Sequence, residues 1–156
     1  MSPPDEEFDP YANDIGRWGA SLATHAELVV GCLDAAKPRS ILEVGAYAGD
    51  VTRILLDWAA PHGARVTAVD PGPQEELTSL ADEREDLELI REPSVEALKR
   101  VTLPDAAVID GDHNYYTVSE ELRLIAEKAD AGDGSLPLIL LHDVSWPHAR
   151  RDSYYS

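Results

Sequence analysis

Five short apolar runs alternate along the chain with segments of helical periodicity. The runs are nearly continuous in Ile, Leu, Val and Ala, and they cover residues 40–44, 65–69, 87–90, 106–109 and 137–141. A half-exposed strand would alternate between apolar and polar side chains, whereas a parallel strand covered by helices on both faces is apolar throughout. The runs therefore predict five buried parallel strands.

The segments between these runs carry helix signals. From residue 21, the side chains of Leu22, Ala26, Val29 and Leu33 fall on one helical face, and Pro38 stops the pattern. Further helices are predicted from Asp50 to a stop at Pro61, over 74–84, from Ser94, and from a capping box of Thr117 and Glu120 to Gly132. This alternation predicts an α/β fold: a Rossmann-like, doubly wound, mainly parallel sheet in the order 3-2-1-4-5, with helices on both faces.

Composition narrows the class of protein. The 156 residues contain 30 acidic and 13 basic side chains, a net charge of −17, which disfavours nucleic acid and anionic membranes as partners but says nothing about a small-molecule substrate. The N-terminus has no basic and apolar signal sequence, and no stretch approaches the roughly 18 apolar residues of a membrane span. We expect a cytoplasmic protein with an acidic flexible arm over 1–18 and one domain over 19–156; a homo-oligomer is possible.

Candidate binding residues follow the first two predicted strands, and ligands of such sheets bind at the carboxyl ends of the strands. Glu43 ends the first strand, and Gly45 and Gly49 bracket a turn into which a ligand can approach closely. The turn lacks the dinucleotide fingerprint, because Tyr47 stands where a glycine is required. Asp70 ends the second strand, and its two oxygens can accept both hydroxyls of a ribose.

Three motifs in order carry a family resemblance. They are Glu43-x-Gly45-x-x-x-Gly49 followed one strand later by Asp70, then IDGDH-x-Y over 109–115, then HDV over 142–144. Together they resemble the class I S-adenosylmethionine-dependent methyltransferases, in a subfamily that includes macrocin-type O-methyltransferases and cephalosporin-hydroxylase-like proteins. The resemblance runs from about residue 21 to 148. Against that family, we expect the chain to lack the usual last two strands.

The resemblance implies S-adenosylmethionine as the cofactor and O-methylation of a small-molecule hydroxyl as the reaction. The implied cofactor-binding residues are Glu43, Gly45, Tyr47, Gly49, Asp70, Ser94, Val95 and Asp110. Among these, Asp70 would hold the ribose, and Ser94 and Val95 would lie at the adenine. For the base that takes the hydroxyl proton, the catalytic candidates are Asp112, which is slightly favoured, and His113.

A divalent metal is left open at the ends of the fourth and fifth strands. In metal-dependent members of the resembled subfamily, carboxylates at the positions of Asp110 and Asp143 hold Mg²⁺, and here His142 precedes the second of them. Imidazole suits Mn²⁺ and related ions better than Mg²⁺, so Asp110, His142 and Asp143 would bind Mg²⁺, Mn²⁺ or another ion, or none. Two alternatives stay open: a metal-dependent hydrolase that uses Asp112 with the same residues, and a non-catalytic cofactor-binding module.

Overall fold

The computed structural model of the chain describes residues 22–142. The predicted arm over 1–18 and the predicted metal ligand Asp143 lie outside these residues. The strands are β1 (Ser40–Val44), β2 (Arg65–Val69), β3 (Leu87–Ile90), β4 (Ala106–Ile109) and β5 (Leu138–Leu141). The helices are α1 (Ala26–Ala36), α2 (Asp50–His62), α3 (Glu75–Glu83), α4 (Ser94–Arg100) and α5 (Tyr115–Ala131), and a 3-10 turn (Leu22–His25) precedes α1.

The five strands form one parallel sheet in the order β3-β2-β1-β4-β5. This is the predicted Rossmann-like, doubly wound α/β fold, and the strand order is also confirmed. The strand order reverses at β1, with β2 and β3 on one side of it and β4 and β5 on the other. Ligands of such folds bind outside the carboxyl ends of the strands at this reversal, here between β1 and β4.

Helices cover both faces of the sheet. Neighbouring residues of β1, Ile41 and Leu42, belong to separate buried clusters, as alternating side chains on opposite faces require. The first cluster contains residues of α1, α2 and α3, and the second contains residues of α4 and α5. This double coverage explains why the strands are nearly continuous in apolar residues. Within residues 22–142, no helix has the length and apolarity needed to span a bilayer.

The start of α5 differs from the predicted capping box. The helix begins at Tyr115, and its N-cap is Asn114, whose side-chain oxygen accepts a hydrogen bond from the Tyr116 N–H at 2.8 Å. Thr117 does not cap the helix but donates its hydroxyl proton to Asp112 at 2.8 Å. Asparagine is among the best N-cap residues, and it precedes Thr117, so the helix gains most of a turn.

Two other element ends also differ from prediction. Helix α2 continues past Pro61 to His62 and ends at Gly63, which is left-handed with a φ of 64°. A proline in the last turn removes one backbone hydrogen bond but leaves the preceding turns intact, so it does not stop the helix where it stands. Strand β5 starts at Leu138, one residue later than predicted.

The hydrogen-bonded ladder of the sheet extends one residue beyond four strand ends. In each case, the first residue after the strand donates its N–H to a carbonyl of the neighbouring strand, over N···O distances of 2.9 to 3.1 Å. These four residues are Gly45, Asp70, Asp110 and His142. The sheet therefore fixes the backbone of four predicted site residues along one edge.

The chain passes from β1 into the following loop through a very narrow space. A Cβ atom at Gly45 would lie 2.3 Å from the Cα of Gly111 and 2.4 Å from the carbonyl oxygen of Asp110, and the φ of Gly45 is +84°. Both partners are backbone atoms, so they cannot move aside cheaply. Glycine is therefore required here by contact as well as by conformation.

Gly45→Ala should destabilise the protein much more than Gly63→Ala. Gly63 also has a positive φ, but nothing lies within 4 Å of the Cβ it would gain. The Gly63 variant should lose about 1 kcal/mol for the strained backbone alone, and the Gly45 variant about 3 kcal/mol or more. Urea denaturation of both variants measures the difference, and equal losses would contradict the contact.

Candidate functional site

Asp70 joins the ends of β1 and β2. Its side-chain Oδ2 accepts the Tyr47 N–H at 2.8 Å, and its Oδ1 accepts the Gly72 N–H at 2.8 Å. The residue is 8% exposed. A carboxylate oxygen can accept two hydrogen bonds, so each oxygen keeps acceptor capacity after these contacts. The backbone amides thus hold the carboxylate in a fixed orientation beside the glycine loop.

The loop between β1 and α2 is built from left-handed residues. Gly45 and Gly49 have φ values of +84° and +86°, and Tyr47 has a φ of +44°, which is unusual for a residue with a side chain. Two hydrogen bonds hold Tyr47 there: its N–H to Asp70, and its carbonyl accepting the Gln74 N–H at 2.9 Å. Its side chain is 60% exposed, so an aromatic ring stands at the surface of the loop.

Glu43 lies beneath this loop and is buried. It is 1% exposed, and its Oε2 accepts the Thr52 hydroxyl proton at 2.6 Å. Burial raises the pKa of the Glu43 carboxyl to about 8; the Thr52 bond opposes this rise, and the charges of Asp110 and Asp70 add to it. At neutral pH the carboxyl is therefore mostly protonated. The Glu43 side chain thus joins the end of β1 to α2, while Asp70 is the acid that contacts the loop backbone.

Asp110 and His142 meet at the ends of β4 and β5. Asp110 Oδ1 lies 2.8 Å from His142 Nδ1, and the two side chains are 17% and 15% exposed. The ring of His113 stands edge-on to that of His142, with 6.2 Å between centroids. Of the polar residues at these two strand ends, Asp110, His113 and His142 therefore lie together. The contact orients the His142 imidazole toward Asp110.

The described residues do not fit a metal centre. No group of three or more His, Cys, Asp or Glu side chains between residues 22 and 142 is arranged to hold a metal ion. Asp110 and His142 contact each other, and Asp143 is not among the described residues. The proposed ligand set of these three residues stays a prediction, and we derive no chemical step through a metal.

Asp112 and His113, the two predicted bases, lie in the loop between β4 and α5. Asp112 is exposed, and its carboxylate accepts the Thr117 hydroxyl proton at 2.8 Å and the Asn114 N–H at 3.2 Å. These bonds tie the carboxylate to the first turn of α5. The Asp112 carboxylate is thus oriented and accessible to solvent at the carboxyl edge of the sheet.

Glu121 is a buried polar residue that the sequence reading did not assign to the site. It extends from α5 to Ser94, whose hydroxyl donates to Glu121 Oε1. Burial raises the pKa of the Glu121 carboxyl to about 7; the Ser94 bond opposes this rise, and the Asp112 charge adds to it. The sequence does contain a signal that Glu121 is buried. It lies three and four residues before Leu124 and Ile125, on the helical face that these buried residues share.

Val95, the second predicted adenine contact, packs against the cluster on the α4 and α5 face of the sheet. It follows Ser94 at the start of α4, after β3. Both residues therefore lie at the same edge of the sheet as Asp70, whose N–H is bonded to Ile90 of β3 at 3.0 Å.

The fold and the carboxyl-edge residues define a Rossmann-like α/β protein, and comparison with known proteins gives its family. A family described as "Methyltransferase domain" matches residues 42–144. This is more than half of the chain, and it spans both the glycine loop and the end of β5. The chain belongs to this methyltransferase domain family. No curated protein matches the sequence.

Solved methyltransferases have the same fold. A Podospora anserina methyltransferase with bound S-adenosylhomocysteine has a TM-score of 0.60 and 18% identity, over 76% of this chain and 51% of that chain. Burkholderia thailandensis 1,6-didemethyltoxoflavin-N1-methyltransferase has a TM-score of 0.53 and 23% identity, over 71% of this chain and 48% of that chain. Mitomycin 7-O-methyltransferase has a TM-score of 0.52 and 22% identity, over 69% of this chain and 32% of that chain. The chain thus covers only a third to a half of these proteins, and the likeness shows the fold alone.

The buried Glu43 carboxyl should make the unliganded protein less stable as pH rises. The folded pKa is about 8 and the ordinary value is 4.5, so between these values the folded protein holds a proton that the unfolded chain has lost. Stability from this residue should fall over that range, by up to about 1.4 kcal/mol per pH unit. Urea denaturation between pH 5 and pH 8 should therefore show Glu43→Gln gaining stability relative to the wild type as pH rises.

The matched control is Glu27→Gln, which alters an exposed glutamate of α1. Its stability relative to the wild type should not change with pH. A Glu43→Gln variant that runs parallel to the wild type across the range would show that Glu43 is ionised in the folded protein.

Proposed function

We propose that the chain is an S-adenosylmethionine-dependent methyltransferase domain that transfers a methyl group to the oxygen of a small-molecule hydroxyl. The observation that carries the proposal is the Asp70 carboxylate. Backbone amides of Tyr47 and Gly72 hold it at the end of β2, directly beside the glycine loop at the end of β1. A carboxylate so placed can accept two vicinal hydroxyls of a ribose.

Membership of the methyltransferase domain family and the fold of solved methyltransferases support this proposal. Among those structures, the Podospora anserina enzyme contains S-adenosylhomocysteine, the product that remains after methyl transfer. In the proposed complex, the cofactor runs along the carboxyl edge of the sheet from the glycine loop, past Asp70, to Ser94 and Val95. The finer assignment to macrocin-type O-methyltransferases rests on the motif resemblance.

The acidic side chains at the carboxyl edge of the sheet favour a cationic ligand. Asp70 and Asp110 lie near enough to Glu43 to raise its pKa by charge repulsion. A positive sulfonium or ammonium group would relieve that repulsion, whereas a polyphosphate would increase it. The edge therefore suits S-adenosylmethionine better than a dinucleotide, in agreement with the absence of the dinucleotide glycine pattern.

Methyl transfer from a sulfonium to a hydroxyl forms an O–CH₃ bond and breaks the S–CH₃ bond, and the hydroxyl proton passes to a base. The protein must align the oxygen, methyl carbon and sulfur, and it must supply that base. We assign the proton to Asp112, since its carboxylate is exposed and is held by Thr117 and the Asn114 N–H. His113, in the same loop, is the second candidate.

The other two hypotheses gain less support. A metal-dependent hydrolase requires a cluster of metal ligands, and residues 22–142 contain no such group. A non-catalytic module would bind the cofactor in the same way but transfer no methyl group. Assaying methyl transfer to a panel of hydroxyl compounds separates that hypothesis from the proposal.

Isothermal titration calorimetry with S-adenosylhomocysteine tests the proposed site. The wild-type protein should bind the ligand, and Asp70→Asn should bind it about tenfold or more weakly, because the ribose hydroxyls lose a charged acceptor. Thermal denaturation of the same samples shows whether the variant remains folded despite the altered contacts to Tyr47 and Gly72.

Asp82→Asn provides the matched control, since Asp82 is an exposed residue of α3 and the charge change is identical. It should bind with wild-type affinity. Absence of binding by the wild type at high micromolar ligand would contradict the proposed function. Equal affinity of the wild type and Asp70→Asn would remove Asp70 from the site.

A further inference from the structure

Glu121 is buried in a way that packing alone does not explain. The residue is 0% exposed, and one of its oxygens accepts the Ser94 hydroxyl proton. The other oxygen, Oε2, is buried without a hydrogen-bond partner among residues 22–142. Burying a carboxyl with an unpaired oxygen costs free energy. An apolar residue at this position of α5 would join helices α4 and α5 at lower cost.

The carboxyl of Glu121 determines what the Ser94 hydroxyl can offer to a ligand. Ser94 is half-buried at the carboxyl edge of the sheet, after β3, so one side of it is open. A hydroxyl has one proton and two lone pairs. When the Glu121 carboxyl is ionised it can only accept a hydrogen bond, so the Ser94 proton is donated to it and the open side of the hydroxyl presents lone pairs only. A group that bonds to Ser94 from that side must be a hydrogen-bond donor.

We propose that Glu121 is a positioning residue that fixes the Ser94 hydroxyl as an acceptor, and that the site thereby selects a purine with an exocyclic amino group. This inference rests on the proposed function, in which Ser94 lies at the adenine of the cofactor. An adenine amine can donate to Ser94. The keto oxygen of hypoxanthine at the same position cannot, and it would face the Ser94 lone pairs.

The charge around Ser94 acts in the same direction. Asp112 lies near enough to Glu121 to raise the pKa of its carboxyl, so a second acidic side chain lies close to the Ser94–Glu121 pair. An N–H donor is favoured in such surroundings, whereas a carbonyl oxygen is repelled. A purely structural link between α4 and α5 would not distinguish between the two purines.

The test compares S-adenosylhomocysteine with S-inosylhomocysteine, in which a keto oxygen replaces the adenine amine. Calorimetry is run at pH 8.5, where the Glu121 carboxyl is ionised and can only accept hydrogen bonds. The wild type should prefer the adenosyl compound by at least about tenfold. Ser94→Ala and Glu121→Gln should each lower this ratio by about fivefold, because the fixed acceptor is lost or its orientation is released.

Two further variants complete the design. Ser94→Thr keeps the hydroxyl and should keep the wild-type ratio. Glu120→Gln, which alters the neighbouring acid that is paired with exposed Arg123, should also keep it. If Glu121→Gln fails to fold, the comparison of Ser94→Ala with Ser94→Thr still tests whether the Ser94 hydroxyl selects the amino group, and equal ratios in these two variants would overturn the inference.

An unchanged ratio in either Ser94→Ala or Glu121→Gln would overturn the inference. A wild-type protein that binds both compounds equally would also overturn it, while the proposed function would stand. If the wild type binds neither compound, the proposed function fails, and this inference fails with it.

Discussion

The carboxyl ends of β1 and β4 approach so closely that the backbone at Gly45 has room for no side chain. A Cβ atom there would lie 2.3 Å from the Cα of Gly111. This contact directs the loop after β1 toward β2, where the Tyr47 N–H binds Asp70. It also places the loop after β4, with Asp110 and Asp112, beside the glycine loop. The proposed cofactor residues and the proposed base therefore come together through one backbone contact.

The acids at this edge differ in burial and in role. Glu43 is buried and, with a pKa of about 8, mostly neutral at pH 7. Asp70 is bound by two backbone amides, which orient its carboxylate. Asp110 contacts a histidine. Taken alone, the net charge of −17 indicates only that nucleic acid and anionic membranes are disfavoured as partners. In the folded protein, part of that charge lies where a cationic cofactor would be attracted.

The fold could be predicted almost completely from the sequence. Apolar strands and helical periodicity are local signals, so the elements can be recognised without knowledge of which strands are neighbours in the sheet. The start of α5 could not be predicted as well. Asn114 and Thr117 are both good caps, and only the contact of Thr117 with Asp112 shows which of them caps the helix. The sequence reading also missed Glu121, since its partner Ser94 is 27 residues away and α4 and α5 meet only in the folded protein.

Asp70 lies beside the glycine loop, as the predicted strand order requires, because the carboxyl ends of the neighbouring parallel strands β1 and β2 share one edge of the sheet. The sequence could not show that Glu43 is protonated, since its pKa depends on burial and on charges from β2 and β4. It also could not show how Asp110 and His142 pair, because β4 and β5 are brought together only by the sheet. Local patterns thus identify the positions of the site, and long-range packing sets their chemical states.

A crystal structure of the protein soaked with S-adenosylhomocysteine tests the central claim most directly. The account predicts ribose hydroxyls within hydrogen-bonding distance of the Asp70 carboxylate, with the ligand in contact with the Gly45 backbone and its adenine beside Ser94. Ligand density at any other place on the molecule, or density at this edge that makes no contact with Asp70, would contradict it.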